Sequence, residues 1–529
     1  MRLAFESAHA MKAATIRTFQ TVHTWTGLIA GFALFVAFYA GALTVFHDDI
    51  ALWQNPPWRS ARDARVPVDT LIGQLLAQHP ETRDDFGIVL PSDDAHAAYA
   101  YWQGKDGARF ASASEMARPN DTAGAGDLAD FIYALHDSLG LPVVGLYLMG
   151  IVSVLYGLAL VSGLLIHLPQ LVSDLFAMRV GHNMKRLWQD AHNAIGVLSL
   201  PFHIIFAVTG SILCLFTITL AALNVIAFDG KLFGSFAQAV ATAPVTIASG
   251  VPATMRTTEQ LIERARTAAL ATGVTSFRPD YLHYTHYGDR NAVVEVRGLS
   301  QHTLGTYGTV ALAGKDGRWL ATHVGTQHSI NGISNSAMYT LHFGSYGGRT
   351  VRWLYFLLGL AGAFLFYSGN LLWIESRRKR RHVEQPRRTR VMARVTIGVC
   401  VGTCLAISGA FAATLLAAHG GFNPAIAQPT ACYGLFLASC FYAFSRPIPR
   451  AAIELLTTTA ALTLGVAGAD LFANAKAWTG TWIPGMASVI GIDLTGMALG
   501  IVFACLARAA ARRARHGDAH SVWALRATH

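Results

Sequence analysis

The chain has 529 residues, 53% of them hydrophobic and only 14% charged, with mean hydropathy +0.37 and a formal net charge of +10. That balance excludes an ordinary soluble enzyme and a disordered chain, and it points to a membrane protein. The basic residues cluster beside apolar runs, so the charge marks membrane topology and no nucleic-acid partner is expected.

Eight apolar runs are each long enough to cross a bilayer, which takes about 20 residues. They lie near 24–46, 143–167, 194–218, 351–373, 393–417, 428–445, 452–472 and 484–507. The first is followed by no small-residue cleavage site and is expected to stay as an anchor. Arg2, Lys12 and Arg17 precede it. Arg179, Lys185 and Arg186 follow the second run, "ESRRKRRHVEQPRRTR" the fourth, "SRPIPR" the sixth and "ARAAARRARHG" the eighth. Basic loops face the cytoplasm, so both termini are expected there, in a bacterial-type inner membrane with lipid around the bundle.

The runs divide the chain. Residues 1–46 hold the N-terminus and first span. Residues 47–135 form a first polar insert. Residues 136–218 hold the second span, a basic loop and the third span. Residues 219–350 form a second insert. Residues 351–390 hold the fourth span and its basic loop, and 391–529 a four-helix module with a basic tail. Both inserts are expected outside the cytoplasm. In the first, "VPVDTLIGQLLAQHP" has helical periodicity, and "FGIVLP" and "AAYAYWQG" look like strands. The second repeats this order: "TTEQLIERARTAALATG", then "SFRPDYLHYTHYG", "NAVVEVRG" and "GTVALAGKDGRWLATHVG". Each predicts a small α+β module. The fold class is an all-α membrane bundle of about eight helices carrying two periplasmic α+β inserts.

The first four spans contain an internal duplication. "HTWTGLIAGFALFVAFYAG" (23–41) lies on "HNAIGVLSLPFHIIFAVTG" (192–210) without gaps. His23 meets His192, Gly27 meets Gly196, and Gly41 meets Gly210. "LHDSLGLPVVGLYLMGIVSVLYGLALVSG" (135–163) lies likewise on "LHFGSYGGRTVRWLYFLLGLAGAFLFYSG" (341–369). His136 meets His342, and Ser162-Gly163 meets Ser368-Gly369. Other helix-end histidines fail this test: His47 meets Phe216, His167 meets Trp373, and His203 meets Leu34.

Both copies cross the membrane in the same order, so the repeat is parallel, with a pseudo-two-fold axis along the membrane normal. His23 and His192 then share the cytoplasmic face, and His136 and His342 the periplasmic face. Two equivalent imidazoles facing one axis suit the axial ligands of a haem. Two b-type haems are expected, held non-covalently, since the chain has no CxxCH. The matched glycines leave room for a planar ring or for close helix packing. His167, His203 and His47 remain haem-adjacent or alternative ligands, His203 lying three turns from His192 if one helix carries both. The six cysteines all fall in apolar runs, as buried thiols would. In the last four helices Asp493 looks intramembrane, a candidate by that fact alone.

At these residues the chain resembles the PepSY-associated transmembrane family. The features are "HTWTG", "HDDIALWQNPP", "LHDSLGL" with "SGLLIHLP", "DAHNAIG", and "LHFGSYGG" with "SGNLLWIESRR", over about 15–380. Two departures are Asp49, where the family often has Glu, and His167, where Trp is common. The resemblance implies PepSY-like inserts and a haem-containing inner-membrane reductase of ferric siderophores or other ferric chelates. Substrate contacts are then sought in the larger insert at His283, His286, His323 and His328, with Tyr339 and Arg349 nearer the membrane. No GxGxxG sits in a βαβ context, so the electron donor is expected to be a cytoplasmic partner or a quinol. Two rival readings have no redox role: a membrane-anchored PepSY binding or inhibitory protein, and a transporter.

Overall fold

The computed structural model describes residues 13–54, 66–91, 97–104, 107–116, 128–168, 184–233, 242–299, 307–325, 330–379, 381–382, 384–478 and 486–525. In chain order the elements are α1 (Ala13–Thr44), α2 (His47–Gln54), α3 (Val68–Gln78), β1 (Asp85–Val89), β2 (Tyr99–Gly104), β3 (Gly107–Ser112) and the short α4 (Ala113–Met116). Then come α5 (Leu128–Ser138), α6 (Val144–His167), α7 (Met184–Leu198), α8 (Leu200–Ile226) and α9 (Thr258–Ala271). Strands β4 (Arg278–Thr285), β5 (Val293–Leu299), β6 (Tyr307–Ala313) and β7 (Trp319–His323) follow. The rest is helical: α10 (Ile330–Phe343), α11 (Gly348–Ser376), α12 (Arg387–Thr396), α13 (Gly402–Gly420), α14 (Pro424–Ser445), α15 (Ile448–Trp478) and α16 (Met486–His516). A single π turn, Ile397–Val401, joins α12 to α13.

Seven helices among the described residues are long and apolar enough to cross a membrane: Ala14–Thr44, Val144–His167, Leu200–Ile226, Gly348–Ser376, Arg387–Ala418, Ile448–Asn474 and Met486–His516. The expected eighth, near 428–445, is the 22-residue α14. Its first turns carry Gln428, Pro429 and Thr430, which hold its apolarity below that of the seven. The third span was expected as one helix from 194. The chain breaks instead at Ser199, and α8 starts with Pro201 in its first turn. Proline has no N–H to donate and its ring clashes with the carbonyl four residues back, so α7 ends and α8 begins afresh. His192 and His203 therefore sit on different helices.

The inserts are not two separate modules. Their strands make one seven-stranded antiparallel sheet in the order β3-β2-β1-β4-β5-β6-β7. The seam is β1 against β4, from Asp85 opposite Thr285 to Val89 opposite Tyr281. Burial explains the seam. Phe86 and Ile88 on β1, and Leu282 and Tyr284 on β4, point to one face, where α3 and α9 cover them with Leu71, Leu75, Leu261 and Ala265. A strand buried this way needs a partner on both sides. Asp69 of α3 also accepts hydrogen bonds from the backbone and hydroxyl of Thr258, tying the two covering helices together.

Candidate functional site

The four histidines matched by the duplication meet in pairs. The His23 and His192 ring centroids are 6.2 Å apart, with planes at 78°. Those of His136 and His342 are 6.1 Å apart, with planes at 44°. His23 sits within α1 and His192 on the detached α7. His136 and His342 each occupy the last turn of a short helix, α5 or α10, before a left-handed turn into a span (Gly140 φ 69°, Gly344 φ 65°).

Hydrogen bonding settles the tautomer of every ring. Nδ1–H of His23 donates to the Ala159 carbonyl at 2.8 Å, and that of His136 to the Ala37 carbonyl at 2.8 Å. His192 donates from Nδ1 to the Leu365 carbonyl at 3.1 Å. His342 donates from Nδ1 to the Thr209 hydroxyl oxygen at 2.7 Å, because that hydroxyl spends its own proton on the Ile205 carbonyl. With Nδ1 protonated and the ring neutral, each Nε2 carries a lone pair. Among the described residues no hydrogen bond engages any of these four Nε2 atoms. This is how metal-ligating histidines are held, with one nitrogen tied back and the other offered.

The spacing fits one metal between two rings. Two metal–nitrogen bonds of about 2 Å each, plus half of each ring, give a centroid separation of roughly 6 Å. Among the described residues no three His, Cys, Asp or Glu side chains converge as a metal shell. The donors come in twos, which suits a metal whose other ligands arrive with a macrocycle. Around the first pair lies a cavity of ≈ 320 Å³ whose walls include His23, His192, His167, Gly27, Gly196 and Arg377. A Cβ on Gly27 would meet nothing within 4 Å, and one on Gly196 only Leu365 at 3.8 Å, so both glycines border open space.

The glycines that press on the rings are a different set. A Cβ on Gly163 would come within 3.0 Å of His23, and one on Gly369 within 3.3 Å of His192. The duplication matches these two, so the signal was in the sequence. Gly41 packs on His136, with only 2.5 Å for a Cβ, but its mate Gly210 packs on Ser153 and not on His342. Ring clearance at the second pair is therefore one-sided.

The alternative ligands separate cleanly. His203, on α8, is fully buried against α6 and α1. Its Nδ1 accepts from the Tyr156 hydroxyl and its Nε2–H donates to Ser199, whose own proton goes to Ile195. Neither nitrogen is available to a metal. His47 donates to Asp130 at 2.9 Å and Asp48 at 3.1 Å. Burial alone would lower its pKa, but these carboxylates push it up to about 10, and an imidazolium has no lone pair to give. His167 stays beside the first pair. Between the two pairs stands an aromatic cluster: Phe38 lies 5.1 Å from Phe366 and 5.9 Å from His203, and Phe206 lies 5.0 Å from His342.

The expected substrate residues do not gather at one point. His283 bridges the sheet seam, with Nε2 at 3.0 Å from Asp85 and Nδ1 at 3.0 Å from Glu295. His286, at φ 54°, contacts Asp84 and the Thr246 carbonyl. His323 pairs opposite Thr309 in the sheet, and His328 lies outside the described residues. Tyr339 stacks on Phe343 beside His342, and Arg349 donates to Ser488 of α16.

The seam histidine gives a pH prediction. The hydrogen bond to Glu295 is the main cause that raises the His283 pKa, and Asp85 adds to it. A raised folded-state pKa contributes stability that is complete below the ordinary value of about 6.5 and is lost as pH climbs through the raised value. Proteolytic nicking around β1 should therefore increase above neutrality. His283→Gln should flatten that dependence, and an unchanged pH profile in the variant refutes the seam role.

Seven membrane-length helices, a small antiparallel sheet and paired imidazoles define the class: a multi-pass membrane protein. The chain belongs to the family of the PepSY-associated TM region, whose model matches residues 20–376. Over 284 residues it is 27% identical to an uncharacterized protein of Pseudomonas aeruginosa, covering 52% of this chain and 69% of that one. Helices α12 to α16 lie beyond the matched region.

Proposed function

We propose that the protein is a haem-dependent transmembrane electron carrier of a bacterial inner membrane that reduces a ferric siderophore or another ferric chelate on the periplasmic side. The observation that carries this reading is the pairing of four neutral histidines, each tied back at Nδ1 and each with Nε2 directed to no protein partner. His23 and His192 would ligate one b-type haem at the cytoplasmic end, with Gly27 and Gly196 leaving space for the ring. His136 and His342 would ligate a second at the end bearing the sheet. When bound, the haems supply one-electron carriage.

The protein's own part is orientation and exclusion of water. The backbone carbonyls of Ala159, Leu365 and Ala37 and the Thr209 hydroxyl fix the ring directions. Phe38, Phe206 and Phe366 fill the low-dielectric gap between the pairs. Electrons would come from a cytoplasmic partner or a quinol. Reducing the bound iron favours release, because Fe(II) is a softer and weaker partner than Fe(III) for hard oxygen ligands.

The test is optical. Protein purified from a haem-replete host should be red, with a sharp Soret band and low-spin ferrous α-bands. A colourless preparation from such a host sinks the proposal. Deleting the second insert would be a poor probe of the chelate site, since β1 would lose its partner β4.

A further inference from the structure

A second cavity lies away from the histidines, where the family core meets the helices beyond it. It is ≈ 70 Å³ in volume and is lined by Tyr39 of α1, Trp53 of α2, Ser408 of α13, Thr463 of α15, and Asp493 and Thr495 of α16. Asp493 is 2% exposed, and its Oδ1 accepts from the Trp53 indole N–H at 2.9 Å. The hydroxyls here have disposed of their protons. Thr463 donates to the Thr459 carbonyl at 2.7 Å and Thr495 to the Gly491 carbonyl at 2.6 Å. Ser408 lies 2.8 Å from Thr463 and 3.0 Å from the Cys404 carbonyl, and its one proton is shared between these two acceptors, because the Thr463 proton is already spent. The threonine oxygens thus present lone pairs, and a carboxylate adds negative charge. A chamber of acceptors wants a cation or a strong hydrogen-bond donor.

Size and charge narrow the choice. A cavity that takes a benzene ring measures about 150 Å³, so a quinol headgroup does not fit in 70 Å³, whereas an ion with a water does. One carboxylate balances one positive charge, and a divalent ion would leave an unbalanced charge buried at high cost. Carboxylate and hydroxyl oxygens are hard donors, suited to hard ions. We infer that this chamber is a binding site for a single sodium ion, held by Asp493 with Thr463, Thr495 and Ser408. The ion would bridge α13, α15 and α16, while Trp53 links the same carboxylate to α2. Occupancy would fasten the appended helices to the family core. This inference does not depend on haem.

The experiment uses the full chain in detergent. Equilibrium dialysis with radioactive sodium should find one ion per chain. The unfolding temperature should rise with NaCl and stay flat in choline chloride of equal ionic strength. Asp493→Asn keeps an acceptor for Trp53 but should lose both effects. Thr463→Val should weaken sodium binding with the fold intact, and it serves if Asp493→Asn does not fold. Absence of sodium-specific binding in the wild type overturns the inference, as does binding that survives in both variants. So does a stabilisation that lower pH reproduces without sodium, since the site would then hold only a proton.

Discussion

Under the proposed two-haem function, His342→Ala should remove the haem at the sheet end and leave the other in place. The chain would then retain about half of its haem and carry no electrons across the membrane. His136→Ala should give the same spectrum, since the two rings face each other at 6.1 Å. His23→Ala and His192→Ala should match each other and spare the sheet-end site. Loss of one axial imidazole leaves a five-coordinate iron or an empty site, and either outcome removes a low-spin ferrous α-band. The measurements are the haem-to-protein ratio and the α-band of all four variants. The pairing is wrong if His342→Ala and His23→Ala lose the same band, or if all four keep both. His203→Phe is the control: with both nitrogens already used, its loss should leave the haem ratio unchanged.

The second large effect is structural. Glu375, at the end of α11, is buried and accepts from Arg513 at 2.5 Å and from Arg378 at 3.5 Å. Arg378 reaches on to Asp518 at 2.5 Å, and Arg513 lies over the Trp523 ring. The cluster docks the segment after α16 beneath the fourth span. Glu375→Ala should destabilise the protein by about 3 kcal/mol, because it strands the Arg513 guanidinium at a partly buried site and leaves Arg378 with Asp518 alone. Asp518→Ala, with a half-exposed carboxylate, should cost under about 1 kcal/mol. Unfolding in a denaturing detergent, followed by tryptophan emission, reads both. Equal effects of the two variants would refute the ranking.

The histidine pairs were readable in the sequence because a duplication converts spacing into symmetry. A constant offset over 19 and 29 residues carries its partners with it, and tertiary contact between mates follows from the axis. The insert helices and most strands were readable from local periodicity, as with Thr258–Ala271 and Val293–Leu299. The β1–β4 seam was not. Pairing between Val89 and Tyr281 is set by burial of a shared face, which no local pattern reports. The break at Ser199 had a local cause in Pro201, masked by the apolar run around it. The tie-back partners were invisible, since Ala159, Ala37 and Leu365 act through backbone carbonyls that every residue has. Asp493 stood out as intramembrane, but its partner Trp53 sits far away in the chain and carried no mark.

The β1–β4 seam also constrains biogenesis. The first insert leaves the ribosome with β1, β2 and β3 made and β4 still to come. Until α6, α7 and α8 have been synthesised, β1 presents an open, apolar edge, the kind of surface that recruits stray strands. Sheet closure must wait for the second insert to be made, so its rate is tied to synthesis of the intervening helices and not to local folding alone. A holding chaperone on the side where the sheet forms, or slow pairing with aggregation as the competing fate, is the physiological price of joining two halves through one strand.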